Sequence, residues 1–222
     1  MFTLRVAQAI PRSAAVAGTH TLRFQSTIVR VSDSIKRDHR ELEEYYNNMM
    51  VSKDADTAKR WQNQFVWELA RHSIAEEIVV YPAMEKYIAN GLAMAEKDRS
   101  EHQTVKNKLY DFQSMDPQSS EFRPALQSLW ADLSEHIKEE ERDDLPALEK
   151  AIDQAESERL GDSFSRTKHF VPTRSHPSAP NKPPYETVAG MLATPLDKLR
   201  DMFAKFPKED TPKSGKSAEM IG

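Results

Sequence analysis

A chain of 222 residues with a formal net charge of −4 at pH 7 and no cysteine has room for one domain with appendages. The missing thiols exclude disulfides, Fe–S clusters, thiolate nucleophiles and Cys-ligated zinc, so any metal must be held by nitrogen and oxygen donors. A slightly acidic balance without a basic cluster argues against nucleic acid as a partner, and no run approaches about eighteen continuous apolar residues, so no transmembrane segment is expected.

Residues 1–30 contain no Asp or Glu, while Arg5, Arg12, Arg23 and Arg30 alternate with Ala, Val, Leu, Ser and Thr. That Arg-rich, acid-poor composition is the composition of a mitochondrial transit peptide. Arg23, two positions before a cut between Phe24 and Gln25, suits matrix processing; without such a leader the location would be cytoplasmic.

Four helices are predicted next, near 33–50, 57–89, 92–114 and 121–156. Ile35, His39, Leu42, Tyr46 and Met49 form one stripe, with Ser32 or Ser34 to cap it. The second helix, capped by Asp56 or Thr57, presents Trp61, Phe65, Leu69, His72, Glu76 and Val80 at intervals of three or four. Asn90-Gly91 ends it. The third carries Ala95, His102, Val105, Leu109 and Phe112. Asp116-Pro117 breaks the chain before the fourth, with Leu126, Leu129, Leu133, His136 and Glu140. Short connections make neighbouring helices antiparallel. Pro82 and Pro146 fall inside long helical patterns and are expected to kink them.

Residues 31–158 thus form the domain, and residues 159–222 a tail. From Gly161 the composition turns to Ser, Thr, Lys and Pro, with Pro172, Pro177, Pro180, Pro183 and Pro184 opposing regular structure. One amphipathic piece remains within 185–206: Val188, Met191, Leu192, Leu196, Leu199, Met202, Phe203 and Phe206, interrupted at Pro195 and accompanied by Lys198, Arg200 and Lys205. The simpler expectation is a short helix packing back on the bundle; the sharper one is contact with a protein or a membrane surface. His20, His169 and His176 read as solvated side chains.

The chain also repeats itself. Leu69, His72, Glu76, Glu77, Pro82, Ala83, Glu85, Lys86 and Ile88 recur as Leu133, His136, Glu140, Glu141, Pro146, Ala147, Glu149, Lys150 and Ile152, sixty-four residues on. Asp38-His39 is echoed by Glu101-His102, sixty-three on. The unit is an acid-His helix followed by a His-x3-Glu helix, used twice. Residues i and i+4 share a helix face, so His72 with Glu76, and His136 with Glu140, point the same way as the apolar stripes. Four imidazoles and two carboxylates therefore occupy core positions.

Burying an unpaired carboxylate costs several kcal/mol. A pair of cations ligated by these groups would offset that cost, and two His with one Glu from each half is the ligand inventory of a non-haem iron site with open positions. The ferritin-like pattern of Glu-x-x-His helices does not fit. Glu77, Glu85, Lys86, Glu141, Glu149 and Lys150 read as exposed, paired charges. Glu77 and Glu141 could also touch the metals. Tyr46, on the His39 stripe, could reach a bound oxygen species.

The series Asp-His39, His72-x3-Glu76-Glu, Glu-His102 and His136-x3-Glu140-Glu, with Pro at one offset after each His-x3-Glu, resembles the hemerythrin-like HHE cation-binding domain over about residues 31–158. The resemblance implies an all-α, up-down-up-down four-helix bundle holding two iron ions. Glu76 and Glu140 would be bridging carboxylates; His39, His72, His102 and His136 would be terminal ligands. Zinc or manganese suits the same donors. Two departures stand out. Lys106 occupies the position where the oxygen carriers have a further His, and their last carboxylate would fall on Glu141 rather than Glu140. Glu43, one turn after His39, could also reach the site. The expected function is binding of O2, NO or peroxide, or the sensing or handling of iron. A di-iron redox enzyme of peroxidase or oxidase type and a structural or adaptor bundle are the other two readings.

Overall fold

A computed structural model of the protein describes residues 29–179 and 185–213. The transit-peptide expectation, and the side chains of Val188, Met191 and Leu192, lie outside the described residues. Among the described residues the structure is helical without strands: α1 Val31–Val51, α2 Ala55–Ala75, α3 Tyr81–Tyr87, α4 Gly91–Phe112, α5 Phe122–Glu139, α6 Leu145–Ala151, α7 Gln154–Thr167 and α8 Tyr185–Asp201. α1, α2 with α3, α4, and α5 with α6 make the four legs of an up-down-up-down bundle. No helix among the described residues is long and apolar enough to cross a membrane.

The two expected kinks are π-turns, Glu76–Val80 and Glu140–Asp144. Proline lacks an N–H and crowds the carbonyl four residues earlier, so the turn before Pro82 and Pro146 widens. Tyr81 N–H reaches Glu76 O, and Leu145 N–H reaches Glu140 O, each five residues back. Both wide turns begin on the glutamate that the sequence places in the core.

The caps differ from expectation. Asp54, rather than Asp56 or Thr57, caps α2 by accepting from Thr57 N at 2.8 Å. Neither Ser32 nor Ser34 caps α1 with its own side chain. The first amides of α1 donate instead to groups far along the chain, Val31 N to Ser157 Oγ (3.2 Å) and Ser32 N to Glu149 Oε1 (3.3 Å). Orphan donors at a helix start need acceptors, and here α6 and α7 bring them.

The fourth leg ends at Ala151 rather than near 156, and α7 starts afresh on the Asp153 cap, which accepts from Glu156 N at 2.8 Å. Helix continues to Thr167, past the composition change at Gly161. Apolar periodicity explains this: Leu160 and Phe164 are buried against the bundle. Gly161 is required there, because a Cβ would overlap the carbonyl oxygen of Val29 at the start of α1.

The tail then returns across the bundle. Asn63 Nδ2 donates to Lys205 O (2.7 Å), Arg60 Nη1 to Phe206 O (3.1 Å) and Trp61 Nε1 to Pro212 O (3.0 Å). α8 is seated by its polar side: buried Asp197 Oδ2 accepts from Thr173 N, Arg174 N and His176 Nε2. His176 is therefore engaged rather than solvated. Leu196, Leu199, Met202 and Phe203 face outward, whereas Phe206, at the end of the same stripe, packs edge-on against Trp67 with ring centroids 6.3 Å apart.

The core is divided. One apolar cluster includes Leu42, Met49, Trp61, Phe65, Leu69, Leu109, Phe112, Leu126 and Leu133. The other includes Val31, Ile35, Val80, Tyr81, Met84, Leu145, Leu148 and Phe164. On every leg a histidine lies between residues of the two clusters, so the bundle is two cores separated by a polar layer. Gly161→Ala should destabilise the protein by about 1–3 kcal/mol through overpacking against α1; chemical denaturation checks it, and an unchanged midpoint would contradict the close approach.

Candidate metal centre

His39 on α1, His72 on α2, His102 on α4, His136 on α5, and Glu76 and Glu140 at the starts of the π-turns are all buried, with at most 3% exposure. All six sequence-predicted residues meet in the polar layer. His72 Nε2 lies 3.2 Å from Glu76 Oε1, and His102 Nε2 lies 3.4 Å from Glu76 Oε2. His39 Nε2 lies 3.3 Å from Glu140 Oε2, and the Nε2 atoms of His102 and His136 are 3.0 Å apart. Donors bound to one ion at about 2.1 Å stand roughly 3.0–3.4 Å from each other, so this spacing suits ligation. Two triads have donor atoms within 4.8 Å of one another, His39-His72-Glu76 and Glu76-His102-His136. Glu76 belongs to both.

Both carboxylate oxygens of Glu76, both of Glu140, and His39 Nε2 have no hydrogen-bond partner although they are fully enclosed. Buried polar atoms are almost always satisfied. Five orphans converging in one layer fit a site for cations, and the soft-to-borderline imidazole donors with hard carboxylates suit a transition-metal ion.

The outer nitrogens follow a rule. His72 Nδ1 pairs with Asp38 Oδ2 (3.2 Å), and His136 Nδ1 with Glu101 Oε2 (2.9 Å): the acid preceding the first His of each half backs the second His of that half. His39 Nδ1 pairs with Glu141 Oε1 (2.9 Å), and His102 Nδ1 stands 3.4 Å from Glu77 Oε1: the acid following each core glutamate backs the other half's first His. With Nδ1–H donating to a carboxylate, each imidazole turns its Nε2 lone pair to the centre. Behind each acid stands one cation: Lys168 at Asp38 (2.5 Å), Lys97 at Glu101 (2.9 Å), Lys106 at Glu77 (2.5 Å) and Arg40 at Glu141 (2.5 Å).

Several readings of the sequence are corrected by this arrangement. Glu77 and Glu141 are orienting partners of histidines rather than simple surface charges, because the π-turn rotates successive glutamates toward two different neighbours. Glu85 is exposed and paired as read, with Arg99 Nη1 at 2.6 Å, whereas Glu149 is half-buried and accepts from Ser32 Oγ at 2.7 Å. Lys106, where the carriers have a histidine, holds Glu77. Glu140 lies in the layer and Glu141 behind it. Glu43 points to solvent and Arg40. Tyr46 stacks on Trp130 with ring centroids 4.6 Å apart, within the apolar cluster. The phenol at the site is Tyr81, whose hydroxyl lies 3.0 Å from His102 Nε2 and 3.2 Å from Nδ1. Its only sequence signal was a break in the repeat, where the second half has Leu145. Asp38 and Glu101 were visible as the acid-His echo, but their partners were not.

The electrostatics match a site suited to positive charge. Burial, then the neighbouring charge of Glu140, pushes Glu76 well above the ordinary carboxylate range; burial works to raise Glu140 as well, but His39, with His136 and His72, lowers it. The two behave as one coupled acid. Burial lowers His72, and brings His102 to about 4, so both imidazoles are neutral at physiological pH. Burial works to lower His39 and His136 too, but Glu140 and Glu141 raise the first, and Glu101 the second. Asp98, buried beside His136, is pushed up to about 7 by burial and by Asp144, which itself reaches about 6.

A four-helix bundle interrupted by a closed layer of four imidazoles and two carboxylates defines a helical cation-binding protein of the histidine-carboxylate kind. The chain belongs to the hemerythrin HHE cation-binding domain family, whose description matches residues 30–148. It is 60% identical over 181 residues to an uncharacterized hemerythrin-like protein of Schizosaccharomyces pombe, covering 81% of this chain and 89% of that one. A DNA nickase of Nostoc sp. is 23% identical over 162 residues, 73% of this chain but 46% of that longer protein. The crystal structure of a hemerythrin HHE cation binding domain-containing protein from Mycobacterium kansasii superposes with a TM-score of 0.56, 21% identity, and coverage of 64% of this chain and 86% of that one; at that identity the likeness concerns the fold.

The raised acids set a pH dependence for the metal-free protein. A carboxyl held at about 7 in the fold and near its ordinary 3.8 when unfolded keeps its proton preferentially in the folded state, so its contribution is lost as pH rises through 7. The metal-free protein should melt lower at about pH 8 than at about pH 5.5, and Asp98→Asn should recover part of the difference at the higher pH; equal melting of variant and wild type at both values would contradict the assignment.

Proposed function

We propose that the protein binds two iron ions in the polar layer. His39 and His72 would hold one, His102 and His136 the other, with Glu76 and Glu140 bridging. The observation that carries this reading is that the two oxygens of Glu76 face histidines of opposite triads, His72 and His102. When bound, the ion pair would supply coordination positions for a small ligand such as O2, NO or peroxide, together with reversible one-electron change at each ion. Manganese or zinc would suit the same donors, and cellular supply decides among them.

The chain's own residues prepare the rest. The four outer carboxylates fix the tautomer and aim of each imidazole, and their paired cations keep the whole layer near neutrality. Leu69, Leu133 and Val105 on one side and Ile35, Val80 and Leu145 on the other keep bulk water out. On this basis the physiological role is the sensing or handling of iron or of a small oxygen or nitrogen species. A redox-enzyme reading of the same centre is favoured by Tyr81: burial pushes its hydroxyl well above the ordinary phenol range, so it stays a neutral donor beside His102.

Protein produced with iron should contain two iron atoms per chain by elemental analysis and show a visible band that reductant removes. Glu76→Ala should lose most of the metal, and the loaded wild type should melt higher than the stripped form. A folded, colourless protein that takes up no iron would overturn the reading. A purely structural bundle predicts the opposite pattern, in which His72→Leu with His136→Leu raises stability and leaves function intact.

A further inference from the structure

The internal repeat offers a control within the molecule. Positions 35 and 98 are equivalent, as are 80 and 144, yet the first half has Ile35 and Val80, each fully buried, where the second has Asp98 and Asp144. The fold therefore asks for apolar side chains at these places and is satisfied by them in one half. Asp98 is 1% exposed, and its Oδ2 has no hydrogen-bond partner. A buried, unpartnered carboxylate oxygen costs stability unless something else meets it.

What could meet it is indicated by its neighbours. Asp98, Glu101 and His136 have donor atoms within 4.8 Å of one another. The other group outside the two triads with this spacing among the described residues, Asp38, Glu41 and Glu68, lies on the opposite half and already holds Lys168, whose Nζ reaches both Asp38 and Glu68. On the Asp98 side Lys97 reaches Glu101 and Glu139 but not Asp98, and the other nearby basic residues are engaged outside the group, Arg99 with Glu85 and Glu96, and Arg142 with Asp143. In one acidic pocket a lysine of the chain spans two of the acids; in the other Lys97 takes only Glu101, and Asp98 is left without a cation. Glu101 and Lys97 are both partly exposed at their side chains, so this second pocket communicates with solvent.

We propose that Asp98 and Glu101, with Asp144 beside them, form a transit site through which a divalent transition-metal cation passes to the dinuclear centre by way of His136. The proposal rests on the reading of that centre given above. His136 belongs both to this group and to the Glu76-His102-His136 triad, and one imidazole cannot serve a resident ion in each place, so the outer position passes its cation inward. Glu101 takes the ion first from solvent in place of the half-exposed Lys97, which keeps Glu139, and Asp98 strips more of its water against a low-dielectric wall. Confined negative charge raises the capture rate of cations by about 10- to 1,000-fold. Such a site changes how fast ions move, in both directions, and leaves the final affinity alone.

The test uses the full, metal-stripped chain and Co2+, whose visible absorption reports each ion as it binds. Asp98→Ile with Asp144→Val installs the residues that the first half already carries, and Asp98→Asn serves as an isosteric second variant should the double one fail to fold. Wild type and variants should all end with two cobalt ions and equal affinity, but the variants should load about tenfold or more slowly at low ionic strength. Their release to an excess of chelator should slow by the same factor. Wild-type loading rates in the variants would overturn the proposal, and so would a variant that retains one ion only, since Asp98 would then be a resident ligand. Failure of the wild type to take two ions defeats the dinuclear reading itself, and the wild-type arm separates that result from the other two.

Discussion

Glu76 and Glu140 sit in the middle of the bundle with no hydrogen bond to any of their four carboxylate oxygens. Two such groups cannot both remain charged in a dry interior: one is driven toward its protonated form, and the other leans on His39. Most of what surrounds them answers this charge. The imidazoles stand close but are aimed by outer carboxylates, and those carboxylates are in turn neutralised by Lys168, Lys97, Lys106 and Arg40. The sequence of shells runs carboxylate, imidazole, carboxylate, cation, and only its innermost member lacks a counterion of its own. Cation binding to such a layer displaces protons and couples metal affinity to folding.

The geometry follows an approximate two-fold relation between the halves of the chain. It is expressed in the ring, in the crossed pairing of the outer acids, and in the two π-turns that Pro82 and Pro146 impose at equivalent places. A π-turn matters because it widens the helix where a glutamate must leave the ordinary face. Glu76 and Glu77 can then address different neighbours, as can Glu140 and Glu141. The relation is broken at Tyr81, Asp98 and Asp144, all of them gathered around His102, His136 and Glu140. The two ends of the centre thus have unlike surroundings: one apolar and closed by Lys168, the other furnished with a phenol and buried acids.

The C-terminal extension belongs to the same design. α7 carries the acceptor for Val31 N and leads directly to Lys168, so the segment that follows the fourth leg both completes the first helix and supplies a charge to the site. α8 is held through Asp197, and Leu196 and Leu199 on it, with Met202 and Phe203 just beyond it, face outward.

By itself the sequence determined the helical class, the four legs and the six inward polar residues, because helical periodicity and a sixty-four-residue repeat are properties of spacing alone. It also displayed Asp38 and Glu101 as an acid-His echo, without indicating a partner for either. What only the tertiary structure decided were relations between distant segments. Which acid backs which imidazole depends on how the legs face one another, and Glu77 with Glu141 looked like surface charge because a regular helix would have turned them outward. The role of Lys168, 130 residues from Asp38, depends on where α7 lands, and that is fixed by the fit of Gly161 against the start of α1. Tyr81 and Asp98 differ from their repeat partners in plain sight, yet only packing showed that those differences stand beside the centre, since burial is a property of the whole fold.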